Sequence, residues 1–206
     1  MYLFTRRRQI NPAKARSAVD VVVEGAHRAQ EITGLDVRAW MSVFSPDVGA
    51  AVWSARLDDL EQLEVANGKL LADNSFGEFV EKNDSCFLGP LQDSLSQLIH
   101  GQLGTQVPEY IMVARSQIVS GDLAAAMGLA IEIAETSERL TGAQTLVRRG
   151  VTGSYGEVAW TTGAQDMKSL QANDDKIAAD PTFLSLVNRA SEVFAPATVT
   201  ILQRLA

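Results

Sequence analysis

The stretch VAWTTGAQDMKSLQANDDKIAADPTF, residues 158–183, decides the fold. It reads as a strand centred on Trp160, a helix opened near Asp166, a break at Asp180-Pro181, and a short helix carrying Phe183. Proline cannot continue the first of these helices, since it lacks an N–H and clashes with the preceding turn, but it suits the first turn of the second. The same frame stands earlier in the chain as AVWSARLDDLEQLEVANGKLLADNSF, residues 51–76, with Trp53, Asp59, Asp73 and Phe76 in the matching places.

The match extends over nearly the whole sequence. A shift of 108 positions aligns Tyr2 with Tyr110, Arg7 with Arg115, Gln9 with Gln117, Glu24 with Glu132 and Thr33-Gly34 with Thr141-Gly142. One residue is lost near Ser45-Pro46-Asp47, and a shift of 107 then aligns Trp53 with Trp160, Asp73 with Asp180 and Phe87 with Phe194. This period is far longer than the roughly 20–50 residues of solenoid repeats. It points to a duplicated domain, with units at 1–100 and 109–206 and a Gly- and Gln-rich linker at 101–108.

Each unit reads as β-α-β-β-α-β. Asn11-Pro12 gives a cap followed by proline at the first helical position. Ala15, Ala18, Val22 and Ala26 recur at helical spacing, and Gly34 and Gly142 close the first helices. Strands are expected over 2–9, 35–44, 49–57 and 93–99, echoed over 110–117, 156–162 and 198–205. Asp59 with Gln62 reads as a capping box. The element order is that of the split βαβ, or ferredoxin-like, unit, an α+β fold with both helices on one face of a four-stranded antiparallel sheet. Trp40 and Phe44 alternate with Val37 and Met41, so the sheet is apolar on both sides and needs a second cover. A second copy in the same chain would supply it, giving a pseudo-dimeric α/β barrel.

Bulk properties narrow the function. The 206 residues are 46% hydrophobic with a net charge of -7, which gives no general attraction to nucleic acid or to an anionic membrane. No apolar run approaches the roughly 20 residues of a membrane helix. The single cysteine, Cys86, excludes an intrachain disulfide, and MYLFTRRRQ lacks the apolar stretch of a signal peptide, so a cytoplasmic setting is expected.

The run from Val158-Ala159-Trp160 to Ala179-Asp180-Pro181-Thr182-Phe183, with its counterpart from Trp53 to Phe76, resembles the dimeric α/β-barrel superfamily. That superfamily includes antibiotic-biosynthesis-type monooxygenases and NIPSNAP-like proteins. The resemblance implies a small-molecule site and, in its monooxygenase form, oxygenation without a cofactor of an aromatic or polyketide-like substrate. There the substrate carries the electrons, and the protein supplies orientation and anion stabilisation. Other members bind haem or have no known activity, so a non-catalytic ligand-binding or structural protein is the alternative.

Trp53 and Trp160 hold equivalent places and either flank an aromatic ligand or fill core gaps. Arg7 and Arg115 lie on the same strand face as Gln9 and Gln117, where they would clamp a carboxylate or enolate or pair with local acids. Trp40 and Arg148 are equivalent positions with unlike chemistry, and with Arg38 they suggest one asymmetric pocket. The run Arg6-Arg7-Arg8 reads as a strand end whose arginines reach water or nearby carboxylates. His27 reads as a helix-surface residue, and His100 as a solvated linker residue, a haem ligand or a general base. No CxxC, HxH or HExxH spacing points to a metal. Gly150, Gly153 and Gly156 join two strands and read as a hairpin. Partners beyond a small molecule are not indicated, apart from pairing of the chain with a second copy as a homodimer.

Overall fold

Capping side chains set the helix boundaries in the computed structural model, which describes residues 1–102 and 107–206. Asn11 Oδ1 accepts from Ala13 N at 3.1 Å, and Pro12 opens a short 3-10 segment that runs into α1 (Ala15–Thr33). Gly34, at φ 78°, ends α1 by donating to Gln30 O at 2.8 Å, and Gly142, at φ 75°, ends α4 (Leu123–Thr141) in the same way on Glu138 O. Only glycine takes this left-handed turn without a steric penalty.

Aspartates open every α-helix after α1: Asp122 caps α4, accepting from Ala125 N at 3.3 Å. Asp59 and Asp73 cap α2 (Leu60–Ala72) and α3 (Asn74–Asn83), accepting from Gln62 N and Phe76 N at 2.9 Å each. Asp166 and Asp180 do the same for α5 (Met167–Ala178) and α6 (Pro181–Ala190). Gln62 returns a bond to Asp58 N at 3.0 Å rather than to Asp59, one residue away from the expected capping box.

The strands are β1 (Tyr2–Ile10), β2 (Val37–Val43), β3 (Ala50–Leu57), β4 (Phe87–His100), β5 (Tyr110–Gln117), β6 (Thr145–Gly150), β7 (Glu157–Ala164) and β8 (Thr198–Arg204). Strands β1, β3 and β2 lie side by side in that order, as do β8, β5, β7, β6 and β4. β4 starts six residues before the expected Asp93. Gly89 and Pro90 suggest a turn, but residues 88–94 are exposed strand, where proline's missing N–H is tolerated. The β6–β7 connection is the expected hairpin, with Gly153 and Gly156 at positive φ. Half of the linker expected over 101–108, residues 103–106, lies outside the described ones. Among the described residues no helix is long and apolar enough to cross a membrane.

The chain divides into two compact units, Met1–Leu95 with Gln203–Ala206, and Ser96–Leu202. Both divisions fall inside strands, β4 and β8. In unit 1, β1 and β2 flank β3 antiparallel, with Arg7 and Trp40 each opposite Val52. Residues 203–206 run beside β2: Leu205 N donates to Ala39 O at 2.8 Å and Ala39 N to Ala206 O at 3.0 Å. Ala18, Val22 and Ala26 of α1 are fully buried against Ala39 and Ala51. Alanines on both surfaces let helix and sheet approach closely. In unit 2, β5 and β6 flank β7, and Ser96–His100 pair with β6 with a register shift between Leu98 and His100. Its core joins Leu129, Ala130 and Ala134 of α4 to Val147, Val158, Leu186 and Phe194.

Candidate functional site

In unit 1 the helix-facing side of the sheet follows from register. Phe4 pairs with Ala55 and Arg6 with Trp53, while on β2 Val37 pairs with Ala55 and Ala39 with Trp53. Between this face and α1–α3 lies a cavity of about 180 Å³. Its floor is Phe4, Val37, Trp53 and Ala55; α1 contributes Val21, Gly25 and Ala29; α2 and α3 cover it with Leu63, Leu70, Phe76 and Phe79. An engineered apolar cavity of about 150 Å³ takes up benzene, whereas drug-sized pockets start near 300 Å³. The space therefore matches a single-ring molecule.

Two residues make the room. Gly25 stands mid-helix, where glycine costs roughly 1 kcal/mol relative to alanine. A Cβ there would lie 3.5 Å from Phe79 Cε1 and 3.7 Å from Trp53 Nε1, an ordinary contact. The helix therefore tolerates a methyl group at this position without displacing a neighbour. Trp53 is fixed by donating Nε1–H to Val22 O at 2.9 Å and by an edge contact with Phe87, ring centroids 5.8 Å apart.

The lining holds two ionisable side chains, Arg6 and Arg8. Arg6 forms a fork with Asp93, Nε–Oδ1 and Nη2–Oδ2 both 2.8 Å, and the hydrogen bond to Asp93 raises its pKa above the ordinary value. Arg8 meets Asp84 at 2.6 Å and lies over the Phe87 ring, 5.2 Å from its centroid. Arg7, on the opposite face, meets Asp47 at 2.7 Å. Each member of the arginine run thus reaches its own aspartate, as the sequence suggested.

Of the candidate ligand-binding residues Arg7, Arg38, Trp40, Trp53, Arg115, Arg148 and Trp160, Trp53 lines the cavity and the others lie elsewhere. Trp160 occupies the same structural place in unit 2, donating to Ala130 O at 2.9 Å and meeting Phe194 edge-on at 5.4 Å. Trp40 is buried on the face opposite the helices and donates to Ser54 Oγ at 3.0 Å. Arg38 is held by Asp36 at 2.7 Å. Arg115 and Arg148 both pair in register with Ala159 on the corresponding face of unit 2.

Arg148 is 7% exposed and donates to Ser96 Oγ at 3.0 Å and Thr161 Oγ1 at 2.9 Å, while its Nε is buried without a hydrogen bond. Its pKa is lowered to about 10, first by burial and then by the charge of Arg115, with Glu157 acting the other way. Trp40 and Arg148 therefore make equivalent bonds, each to the hydroxyl on the third strand of its unit.

Sequence reading missed the cavity because it sought a site on the other sheet face. The available signal was Gly25, an unexplained glycine inside a strongly periodic helix. The lining contains no His, Cys, Met or Tyr, the side chains that ligate haem iron, so a haem finds no axial ligand there. His100 lies in unit 2 and is half-buried rather than solvated, its Nε2 3.7 Å from Glu138 Oε2. His27 is exposed. Among the described residues no cluster of His, Cys, Asp and Glu is suited to a metal ion.

No family model matches the chain, and no curated protein matches it. Solved structures do. A candidate monooxygenase of Fusobacterium nucleatum aligns over 100% of this chain and 92% of its own, with a TM-score of 0.72 and 11% identity. An anthrone oxidase-like protein aligns over 98% and 90%, with a TM-score of 0.67 and 10% identity. A candidate chlorite dismutase aligns over 99% and 95%, with a TM-score of 0.57 and 11% identity. At such identities the likeness is one of fold alone, an α+β fold shared with these structures over nearly the whole chain.

Proposed function

We propose that unit 1 binds a small, largely apolar molecule of single-ring size between its sheet and helices α1–α3. The observation that carries this reading is the cavity of about 180 Å³ walled by Trp53, Phe76, Phe79 and Phe87. Aromatic walls favour an aromatic guest through offset and edge-on ring contacts, worth about 0.5–1.5 kcal/mol each beyond area burial. The finer form is oxygenation without a cofactor. An electron-rich bound ring gives dioxygen four electrons: one oxygen atom becomes bonded to ring carbon, and the other leaves as water with two of the substrate's hydrogens, as when a hydroquinone becomes a hydroxyquinone. The protein orients ring and dioxygen. The fold neighbours described as monooxygenase and oxidase proteins support this form.

A second reading, ligand binding without catalysis, is favoured by the charge inventory. Arg6 and Arg8 are both paired with aspartates, and no carboxylate or histidine lines the cavity to take a proton from the ligand. Any oxygenation substrate must therefore arrive ionised or already electron-rich. Titration calorimetry with toluene and phenol tests binding, and no heat with either would remove the site. Dioxygen uptake with a bound hydroquinone, without added metal, separates the readings: uptake above the free-solution rate with label from 18O2 in a hydroxyquinone product supports oxygenation, and its absence leaves binding alone. A hemin titration is expected to show no Soret shift.

We further propose that the chain is a tandem duplication of one ferredoxin-like unit. Supporting it are the paired tryptophan-to-helix bonds, the paired glycine stops and the four aspartate caps, all at matching positions.

A further inference from the structure

We infer that each chain takes one ligand, in unit 1 only, and that Gly25 is the residue that keeps this site open; the inference rests on the binding site proposed above. The two units can be compared position by position, because the tryptophan bonds to Val22 O and Ala130 O fix the same helix register in both.

Gly25 corresponds to Ile133. In unit 1 the place of its Cβ is 3.7 Å from Trp53 Nε1 and 3.5 Å from the Phe79 ring. In unit 2 Ile133 and Trp160 are both packed against the buried cluster that contains Leu186, the counterpart of Phe79. A branched side chain therefore fills in unit 2 the volume that glycine leaves empty in unit 1.

The apolar wall changes as well. Ala29, Val37 and Ala55 line the cavity, and their counterparts are Ser137, Thr145 and Thr162, all buried. These three hydroxyls bond to one another: Thr145 Oγ1 is 3.1 Å from Thr162 Oγ1 and donates to Ser137 Oγ at 3.4 Å. An apolar guest in that place would break bonds between buried hydroxyls and offer none in return, which is unfavourable. Steric filling and polarity thus act in the same direction. Unit 2 has become a self-satisfied core, while unit 1 keeps an apolar space at the cost of helix propensity.

The test uses fluorobenzene as probe and the full chain, with binding followed by fluorine NMR. The wild-type chain is expected to bind one equivalent. Gly25→Ile should lose binding by more than tenfold in affinity while staying folded by circular dichroism. Gly25→Ala should weaken binding while raising Tm by about 2–4 °C, the effect of removing a mid-helix glycine from a chain of this size. Ile133→Gly should lower Tm and add no second equivalent. Two equivalents on the wild-type chain, or unchanged affinity in Gly25→Ile, would overturn the inference and leave the binding site standing. No binding to the wild-type chain would remove both. A Gly25→Ala chain with lowered Tm would show that the glycine serves the fold instead.

Discussion

Trp53 and Trp160 make the same two contacts, one hydrogen bond to a helix carbonyl and one edge-on phenylalanine. Replacing either by phenylalanine removes a net contribution of about 1 kcal/mol from the hydrogen bond. Urea unfolding should show similar losses for Trp53→Phe and Trp160→Phe, whereas calorimetry with toluene should change for Trp53→Phe alone. A second case is Arg148, whose charge is buried beside another arginine. Replacing buried charges by apolar side chains of similar size is often neutral or stabilising, and the equivalent residue of unit 1 is already the apolar Trp40. Arg148→Met should therefore unfold at higher urea than wild type at pH 7. Below pH of about 10 the group is charged in both folded and unfolded chains, and its desolvation cost is present in full. Above that value the folded chain sheds a proton that the unfolded chain keeps, so the advantage of Arg148→Met should narrow. The matched tryptophans were legible in the sequence as a pair. Their orientation toward the helices was not, because strand alternation gives two faces without saying which one the helix covers. Gly25 was less legible still, since a cavity is written as missing atoms, and a periodic apolar pattern does not register an absence.

At the scale of elements, four aspartates open α2, α3, α5 and α6, and two of them have shifted carboxyls. The Ser75 hydroxyl and then the Phe76 N–H hold the Asp73 carboxyl below the usual range, and the Ser169 N–H and hydroxyl do the same for Asp166. Lowered folded-state values mean that the caps contribute above the unfolded carboxylate pKa, about 3.9, and are lost as pH falls through the lower folded value. Hydrogen exchange in α3 should accelerate over that acid range. Asp73→Asn keeps an acceptor at the cap, and the acid-dependent acceleration should then disappear. These helix starts were readable because a cap is a local event between residues three apart. β4 was not fully readable. Its early half carries Gly89 and Pro90, and only anchoring of Phe87 against Trp53 shows that the strand begins there.

For the whole molecule, the order of strands and helices was legible because it is written as periodicity. The division of strands was not, since it depends on which backbone groups meet. Residues 203–206 belong to unit 1, bonded to Ala39 on β2. Deleting them exposes the backbone of Ala39 and uncovers a flank of the unit 1 core, against which Leu205 and Ala206 pack. The deleted chain should show faster hydrogen exchange in β2 and β3 and weaker toluene binding, with β5–β7 less affected.

This arrangement also orders events during synthesis. The half of the protein that leaves the ribosome first must wait, with one side of β2 unpaired, until all of unit 2 has been translated and Gln203–Ala206 emerge. During that interval the nascent chain displays, beside Ala39, a strand edge of the kind that other extended peptides can pair with.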